Sequence, residues 1–296
     1  MPMYLPPISR RQFLAGSLAA GARLLLPPAA WAAQRAVNPS RWVLLSDTHV
    51  WERREGVYRG TKPAANLAQA VREILALDPR PAGILHVGDS AYQEGRAADY
   101  AMLRELIAPV RAAGIPMHII LGNHDQRANF RAAFPKAKSP PDCDRQVAVV
   151  PGREANWFLL DSLDKTNATP GRLGKPQLDW LARALDARPE KPAILLAHHD
   201  LGSSRGLQDT AGLLEVVAAR KHVKAYFFGH THAWGVGNLK DLDLVNVPTT
   251  AWTFDPFQPR GWVDVALGER GAALVLQSLD PKHSKHGQRV ELKWKA

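Results

Sequence analysis

The sequence predicts an α/β protein, a mixed or parallel sheet with covering helices, and three observations carry that expectation. Short apolar runs recur and each ends in a polar cluster: "RWVLLSD" (41–47), "ILHVGD" (84–89), "PMHIILGNHD" (116–125), "NWFLLDS" (156–162), "PAILLAHHD" (192–200) and "VKAYFFGHTH" (223–232). Each reads as a buried strand. Between them lie stretches with apolar residues at helical spacing, at 63–77 behind Pro63, at about 96–113, at about 175–187 and at about 208–220. Beyond residue 243 the pattern turns to strand alone, in "DLVNVP", "GWVDVAL" and "AALVLQSL". Strands alternating with helices are the mark of a sheet covered by helices.

The first 32 residues stand apart. They hold Arg10, Arg11 and Arg23, no acid, an Ala/Leu/Gly segment and Ala30-Trp31-Ala32, the layout of an export signal with cleavage after Ala32. The start Ser9-Arg10-Arg11-Gln12-Phe13-Leu14 resembles a twin-arginine signal, which predicts the export machinery as a partner and a periplasmic or secreted destination. The apolar segment is short and interrupted by Arg23, so the mature form, 33–296, is expected to carry no stable membrane span. No Pro/Gly/Ser-rich linker divides it, which predicts one domain; "FPKAKSPPDCD" (134–144) reads as a loop.

Composition narrows the chemistry. The 296 residues include a single cysteine, Cys143, so no internal disulfide forms and no sulfur-rich metal site can be built. Any metal must be held by His, Asp, Asn or Glu. Loss of the signal's three arginines lowers the net charge from +10 to +7, a balance that favours anionic partners in general. The cations are scattered, and no motif for nucleic acid accompanies them.

The strand ends carry the chemistry: Asp47-Thr48-His49, Gly88-Asp89, Gly122-Asn123-His124-Asp125, His198-His199 and Gly229-His230-Thr231-His232. In open α/β sheets ligands gather at the carboxyl ends of strands. Oxygen donors mixed with imidazoles suit Zn, Mn or Fe. On an extended strand, residues two apart point the same way, so each D-x-H or H-x-H pair is expected to clasp one ion. His86, His118, His222, His283 and His286 read as structural; His199, beside a candidate ligand, has a possible substrate role. Trp51, Trp234 and Trp252 follow or flank these blocks and suit either a core or a pocket wall.

The five blocks, in this order over residues 47–232, resemble the calcineurin-like metallophosphoesterases. The resemblance implies a four-layer α/β/β/α sandwich with two central mixed sheets, and a centre of two metal ions (Fe, Mn, Zn or Co). It implies that Asp47, His49 and His232 hold one ion, that Asn123, His198 and His230 hold the other, and that Asp89 bridges them. His124 would face the leaving group as general acid, and Asp125 would orient His124 or brace a metal-bound histidine. The run G-N-H-D-x-R is similar to the branch containing bacterial cyclic-nucleotide and glycerophosphodiester phosphodiesterases, where Arg127 would meet a phosphate oxygen in a two-pronged contact. The implied activity is hydrolysis of a small phosphate ester by metal-bound hydroxide, a diester before a monoester. The remaining alternatives are a phosphatase on the same site and a metal-holding binding protein without turnover. After the paired histidines the chain reads "HHDLGSSRG" where many relatives carry prolines, so Ser203, Ser204 and Arg205 are further candidates for phosphate contact.

Overall fold

Alternation of side chains along the strands sorts the apolar residues into layers. In strand β1 (Val37–Leu45), Trp42 and Leu44 face one way while Val43 and Leu45 face the other, and all are buried. The computed structural model, which describes residues 35–135 and 143–295, shows why. Strand β1 lies in the middle of a six-stranded sheet ordered β12-β11-β10-β1-β2-β3, with β2 at Arg80–His86, β3 at Met117–Ile119, β10 at Gly261–Gly268, β11 at Gly271–Ser278 and β12 at Arg289–Lys293. A second six-stranded sheet runs β4-β5-β6-β7-β9-β8, at Ala148–Pro151, Asn156–Leu159, Ala193–Leu196, Val223–Phe228, Leu242–Asn246 and Gly235–Leu239 in that order. Both sheets are mixed: β1, β2 and β3 are parallel, as are β5, β6, β7 and β9, and the flanking pairs are antiparallel.

Between the sheets lies one core. Trp42, Leu44, Leu85, Val263 and Leu274 from the first meet Trp157, Ile194, Leu196, Phe227 and Val245 from the second. Trp157 is central, its ring 5.8 Å from that of Trp42 and 5.4 Å from that of Phe227. The outer faces are covered by helices. Helix α1 (Pro63–Ala76), started by its proline, and α2 (Ala97–Leu106) pack Leu67, Val71, Ile74 and Leu103 against Val43 and Leu45, and α4 (Arg127–Ala133) adds Phe130 to the same cluster. On the other side α5 (Lys175–Asp186) places Trp180, Leu181 and Leu185 against Leu195 and Tyr226, and α6 (Thr210–Ala218) adds Leu213. The four-layer α/β/β/α architecture with two mixed sheets is therefore as expected.

Several boundaries differ. The helix predicted over about 96–113 is two, because Pro109 cannot continue the hydrogen bonding of α2; a short α3 (Ala108–Ala112) starts afresh. Among the described residues no helix is long and apolar enough to cross a membrane. The export segment lies outside the described residues, as does the middle of the loop predicted at 134–144.

Replacing Trp157 by Ala opens a large cavity between the sheets. A loss of about 3–5 kcal/mol is expected for a buried Trp, read from the midpoint of chemical unfolding.

Candidate metal centre

The strands stop short of the residues predicted to hold metal. β1 ends at Leu45, β2 at His86, β3 at Ile119, β6 at Leu196 and β7 at Phe228, so each candidate ligand sits in the turn just beyond. The period-two argument does not apply there. Asp47, His49, Asp89, His230 and His232 all adopt positive φ, between 42° and 66°, a region that costs a residue with a Cβ roughly 1 kcal/mol or more. Asp47 and His49 converge because the backbone coils left-handed, not because it is extended, and the H-x-H pair does not clasp one ion as expected: His232 joins Asp47 and His49, while His230 joins Asp89 and His198.

Glycines make room for this coiling. A Cβ on Gly122 would overlap the Asp89 carboxylate, and one on Gly229 would strike Ser46 Oγ and Asp47 Oδ2. Backbone amides then fix both carboxylates: His124 N donates to Asp89 Oδ1 at 2.7 Å and His230 N to Asp47 Oδ2 at 3.1 Å. From the C-terminal part of the chain, Thr249 Oγ1 and Ala251 N donate to the Asp47 carbonyl.

Two groups of ligand atoms result. Asp47, His49 and His232 form one and Asp89, His198 and His230 the other, with the candidate atoms of each group within 4.8 Å of one another. His49 and His232 face each other Nε2 to Nε2 at 3.0 Å, and Asp47 Oδ1 stands 3.3 Å from His232 Nε2. Asp89 Oδ2 lies between the groups, 3.3 Å from His198 Nε2 and 3.7 Å from His49 Nε2. Asn123 is buried and lines the same cavity of about 450 Å³, as do His124, Asn167, Asp200, Ser203, Arg205, Trp252 and Phe254.

The donor set fits metal ions. Asp47 Oδ1, Asn123 Oδ1 and His198 Nε2 are buried with no hydrogen-bond partner, a cost that a cation removes. The tautomers agree. His198 Nδ1 lies 2.8 Å from the Val87 carbonyl and His232 Nδ1 contacts the Trp252 carbonyl; a carbonyl only accepts, so each Nδ1 carries the proton and each Nε2 offers a lone pair. Burial lowers His49 to about 3 and His230 to about 4, which keeps both neutral. Burial opposes ionisation of Asp47 and Asp89, yet the surrounding histidines outweigh it and hold both below the usual carboxylate range. For His198 burial pulls down, but Asp89 and Asp47 prevail and push it up to about 9, so without an ion Nε2 holds a proton toward Asp89, and a bound cation would displace that proton and take the lone pair. The same negative field attracts a cation.

Of the paired histidines, His198 joins the ligand atoms, while His199 turns Nδ1 to Ser162 Oγ at 2.8 Å and packs beside His230. His86 is buried behind the site against Thr48 and Ser90, and Trp234 is in the core. Trp252 stacks on His49 with centroids 4.3 Å apart. Ser203 and Arg205 reach the cavity; Ser204 does not line it.

Two expectations are corrected. Asp125 neither orients His124 nor braces a ligand histidine. It lies beneath the turns, fully buried, and accepts from Gly122 N, Ser90 N, Ala91 N and Tyr100 Oη at 2.9–3.2 Å; burial pushes it up to about 6. It holds together the two loops that carry Asp89 and Asn123. His124 is oriented instead by Gln93, whose carbonyl is 3.0 Å from Nδ1. Arg127 faces away from the cavity: its Nε and Nη2 form a two-pronged pair with the buried Asp161, at 2.7 and 3.0 Å, and Nη2 also donates to the Leu163 carbonyl. The partner is a fully buried carboxylate 34 positions on, which would be left an uncompensated charge if the guanidinium turned to a substrate. Sequence reading also missed Asn167 and Phe254, neither of which belongs to a charged block.

A centre with two Asp/His groups, a carboxylate between them and a cavity at the carboxyl ends of two mixed sheets defines a class, the hydrolases that use two metal ions. Residues 40–234 match the Calcineurin-like phosphoesterase family, and the chain belongs to it. It is thus a metal-dependent phosphoric ester hydrolase with groups for two ions. It is 30% identical to the 3',5'-cyclic adenosine monophosphate phosphodiesterase CpdA of Pseudomonas aeruginosa, over 72% of this chain and 77% of that one. A probable cyclic nucleotide phosphodiesterase of Rhodopseudomonas palustris is 32% identical over 65% of this chain and 71% of its own. Among solved structures, a dimetal phosphatase from Danio rerio superposes with a TM-score of 0.68 at 15% identity, covering 87% of this chain and all of that one. That likeness bears on the fold.

Replacing Arg127 by Ala leaves the Asp161 carboxylate buried without its cation. A destabilisation of about 3 kcal/mol is expected, with KM for a phosphate ester within about twofold of the parent; a KM rise of tenfold without loss of stability would restore Arg127 to the substrate.

Proposed function

We propose that the protein is an exported phosphodiesterase acting on a small phosphodiester in the periplasm or outside the cell. The observation that carries hydrolysis is Asp89 Oδ2, placed between His49 of one group and His198 of the other with unpartnered donors on both sides. The choice of a diester is supported by the curated relatives, which are phosphodiesterases of cyclic nucleotides. Arg127 no longer contributes to it. Export is supported by Arg10-Arg11 and Ala30-Trp31-Ala32, a signal suited to the twin-arginine machinery.

In this reading Asp47, His49 and His232 would hold one ion and Asn123, His198 and His230 the second, with Asp89 contributing to both. Fe, Mn, Zn and Co suit these donors; bound here, two such ions supply Lewis acidity toward the phosphoryl oxygens and make water acidic enough to attack near neutral pH. The protein's own share is orientation and proton supply. The Val87 and Trp252 carbonyls lock His198 and His232, and Asn123, a neutral donor, limits the negative charge that the carboxylates have already supplied. His124, with Nδ1–H held by the Gln93 carbonyl, turns Nε2 to the departing oxygen and gives it a proton from the imidazolium form, returning to the neutral Nδ1–H ring.

Two assays test this on metal-quantified protein. kcat/KM for bis(p-nitrophenyl) phosphate is expected to exceed that for p-nitrophenyl phosphate by about tenfold, with Asp89→Asn lowering both at least about 100-fold. A faster monoester makes the protein a phosphatase; no cleavage of either with two ions bound leaves a metal-holding binding protein or an enzyme of narrow specificity. His124→Ala is expected to slow a diester with an alkoxide leaving group by about 100-fold and p-nitrophenolate release far less, because that anion leaves without a proton. Equal losses on both would remove His124 from the acid role.

A further inference from the structure

The cavity walls differ in chemistry. On the side of Asp47, His49 and His232 the wall is aromatic: Trp252 is buried, stacked on His49 and closed from behind by Tyr58, whose ring lies 4.7 Å away. Two residues on, Phe254 stacks against His232, with centroids 4.4 Å apart and planes inclined by 24°. Yet Phe254 is 57% exposed. Packing accounts for Trp252 and does not account for Phe254. A single exposed Phe is ordinary on an open surface, but this ring stands inside the cavity with Asn123, His124 and the ligand histidines.

Its position is fixed. His232 backs the ring and is itself held through Nδ1 by the Trp252 carbonyl. The turn that carries it is pinned where Asp255 Oδ1 accepts from Phe257 N at 2.9 Å. Near the ring lies Arg59, its guanidinium carbon 5.5 Å from the centroid. Arg59 is exposed, lies also over the Tyr58 ring at 5.6 Å and, among the described residues, is in no ion pair, so an entering group can displace it from Phe254 while its contact with Tyr58 remains. On the side of the second ligand group the wall is polar instead. Asp200 accepts from Gly202 N, Ser203 N and Ser203 Oγ, which shapes the loop that brings Ser203 and Arg205 to the cavity.

The geometry points to Phe254 as a specificity-determining residue: it is the platform on which a flat heteroaromatic ring of the substrate, of the nucleobase kind, stacks while the phosphate sits at the ligand groups. The inference rests on the dimetal site proposed above and names the ester group that site prefers. A cavity of about 450 Å³ has room for a mononucleotide. Every base offers a π face, so stacking selects for a base over an aliphatic alcohol without choosing strongly among bases.

The test is calorimetric binding to the metal-loaded protein, with AMP, ribose 5-phosphate and inorganic phosphate as probes. Stacking on one ring is expected to make AMP bind about tenfold tighter than ribose 5-phosphate. Phe254→Leu, which keeps the apolar bulk, is expected to bring that ratio close to one, with phosphate affinity and metal content unchanged; Phe254→Tyr keeps the ratio. Equal affinity of the parent protein for AMP and ribose 5-phosphate overturns the inference, as does a ratio that survives in Phe254→Leu. Parallel weakening of all three probes overturns it too, since the ring is then only a support for His232. Binding does not depend on which ester is cleaved, so failure of the phosphodiesterase reading appears in the nitrophenyl assays and failure of this one in the affinity ratio.

Discussion

Two carboxylates buried in one pocket set the terms for everything around them. Asp47 and Asp89 are almost without solvent, and each raises the other's cost of ionisation. In a medium of low polarity that repulsion is large, and it is tolerated only because imidazoles crowd in from both sheets and backbone amides point at the oxygens. The close approach forces glycine before Asn123 and before His230, and left-handed backbone at five ligand positions. Strain of this kind persists where surrounding structure over-determines it. Asp125 and His86 supply that determination, one beneath the turns that carry Asp89 and Asn123, the other behind Thr48 and Ser90.

The ligand groups also divide between the sheets. Asp47, His49, Asp89 and Asn123 follow strands of the first sheet, whereas His198, His230 and His232 follow strands of the second. Each group of three draws on both. An ion at either position therefore ties one sheet to the other at the end of the molecule where Trp42, Trp157 and Phe227 no longer do so, and metal loading is coupled to how the two sheets pack.

How much of this the sequence discloses depends on where a side chain finds its partner. Central strands buried on both faces, such as Ile84–His86 and Ala193–Leu196, read as unbroken apolar runs and were legible. Three of the four edge strands were not: Gly235–Leu239 has two glycines and an exposed face, Arg289–Lys293 alternates charge with apolar residues, and Ala148–Pro151 is short. The ligand blocks were legible because each is local, a few residues at one strand end. Arg127 was misread because its partner, Asp161, comes from another part of the chain, and nothing in "GNHDQR" marks the guanidinium as already engaged. Phe254 carried no mark at all, since an aromatic residue in a loop acquires meaning only when the fold sets it against His232.

One feature of the topology bears on synthesis. Every candidate ligand has been made by residue 232, but β1, the strand that leads to Asp47, takes its second neighbour from β10, at Gly261–Gly268. Thr249, Thr250 and Ala251, which clasp Ser46 and Asp47, also come late. A growing chain that already holds all its candidate ligand histidines thus still has β1 as an open edge, and the pairing that closes it spans most of the sequence, which is the slow kind of contact to form. The centre is encoded early and assembled last, so a ribosome-bound or truncated chain has the donors without the site.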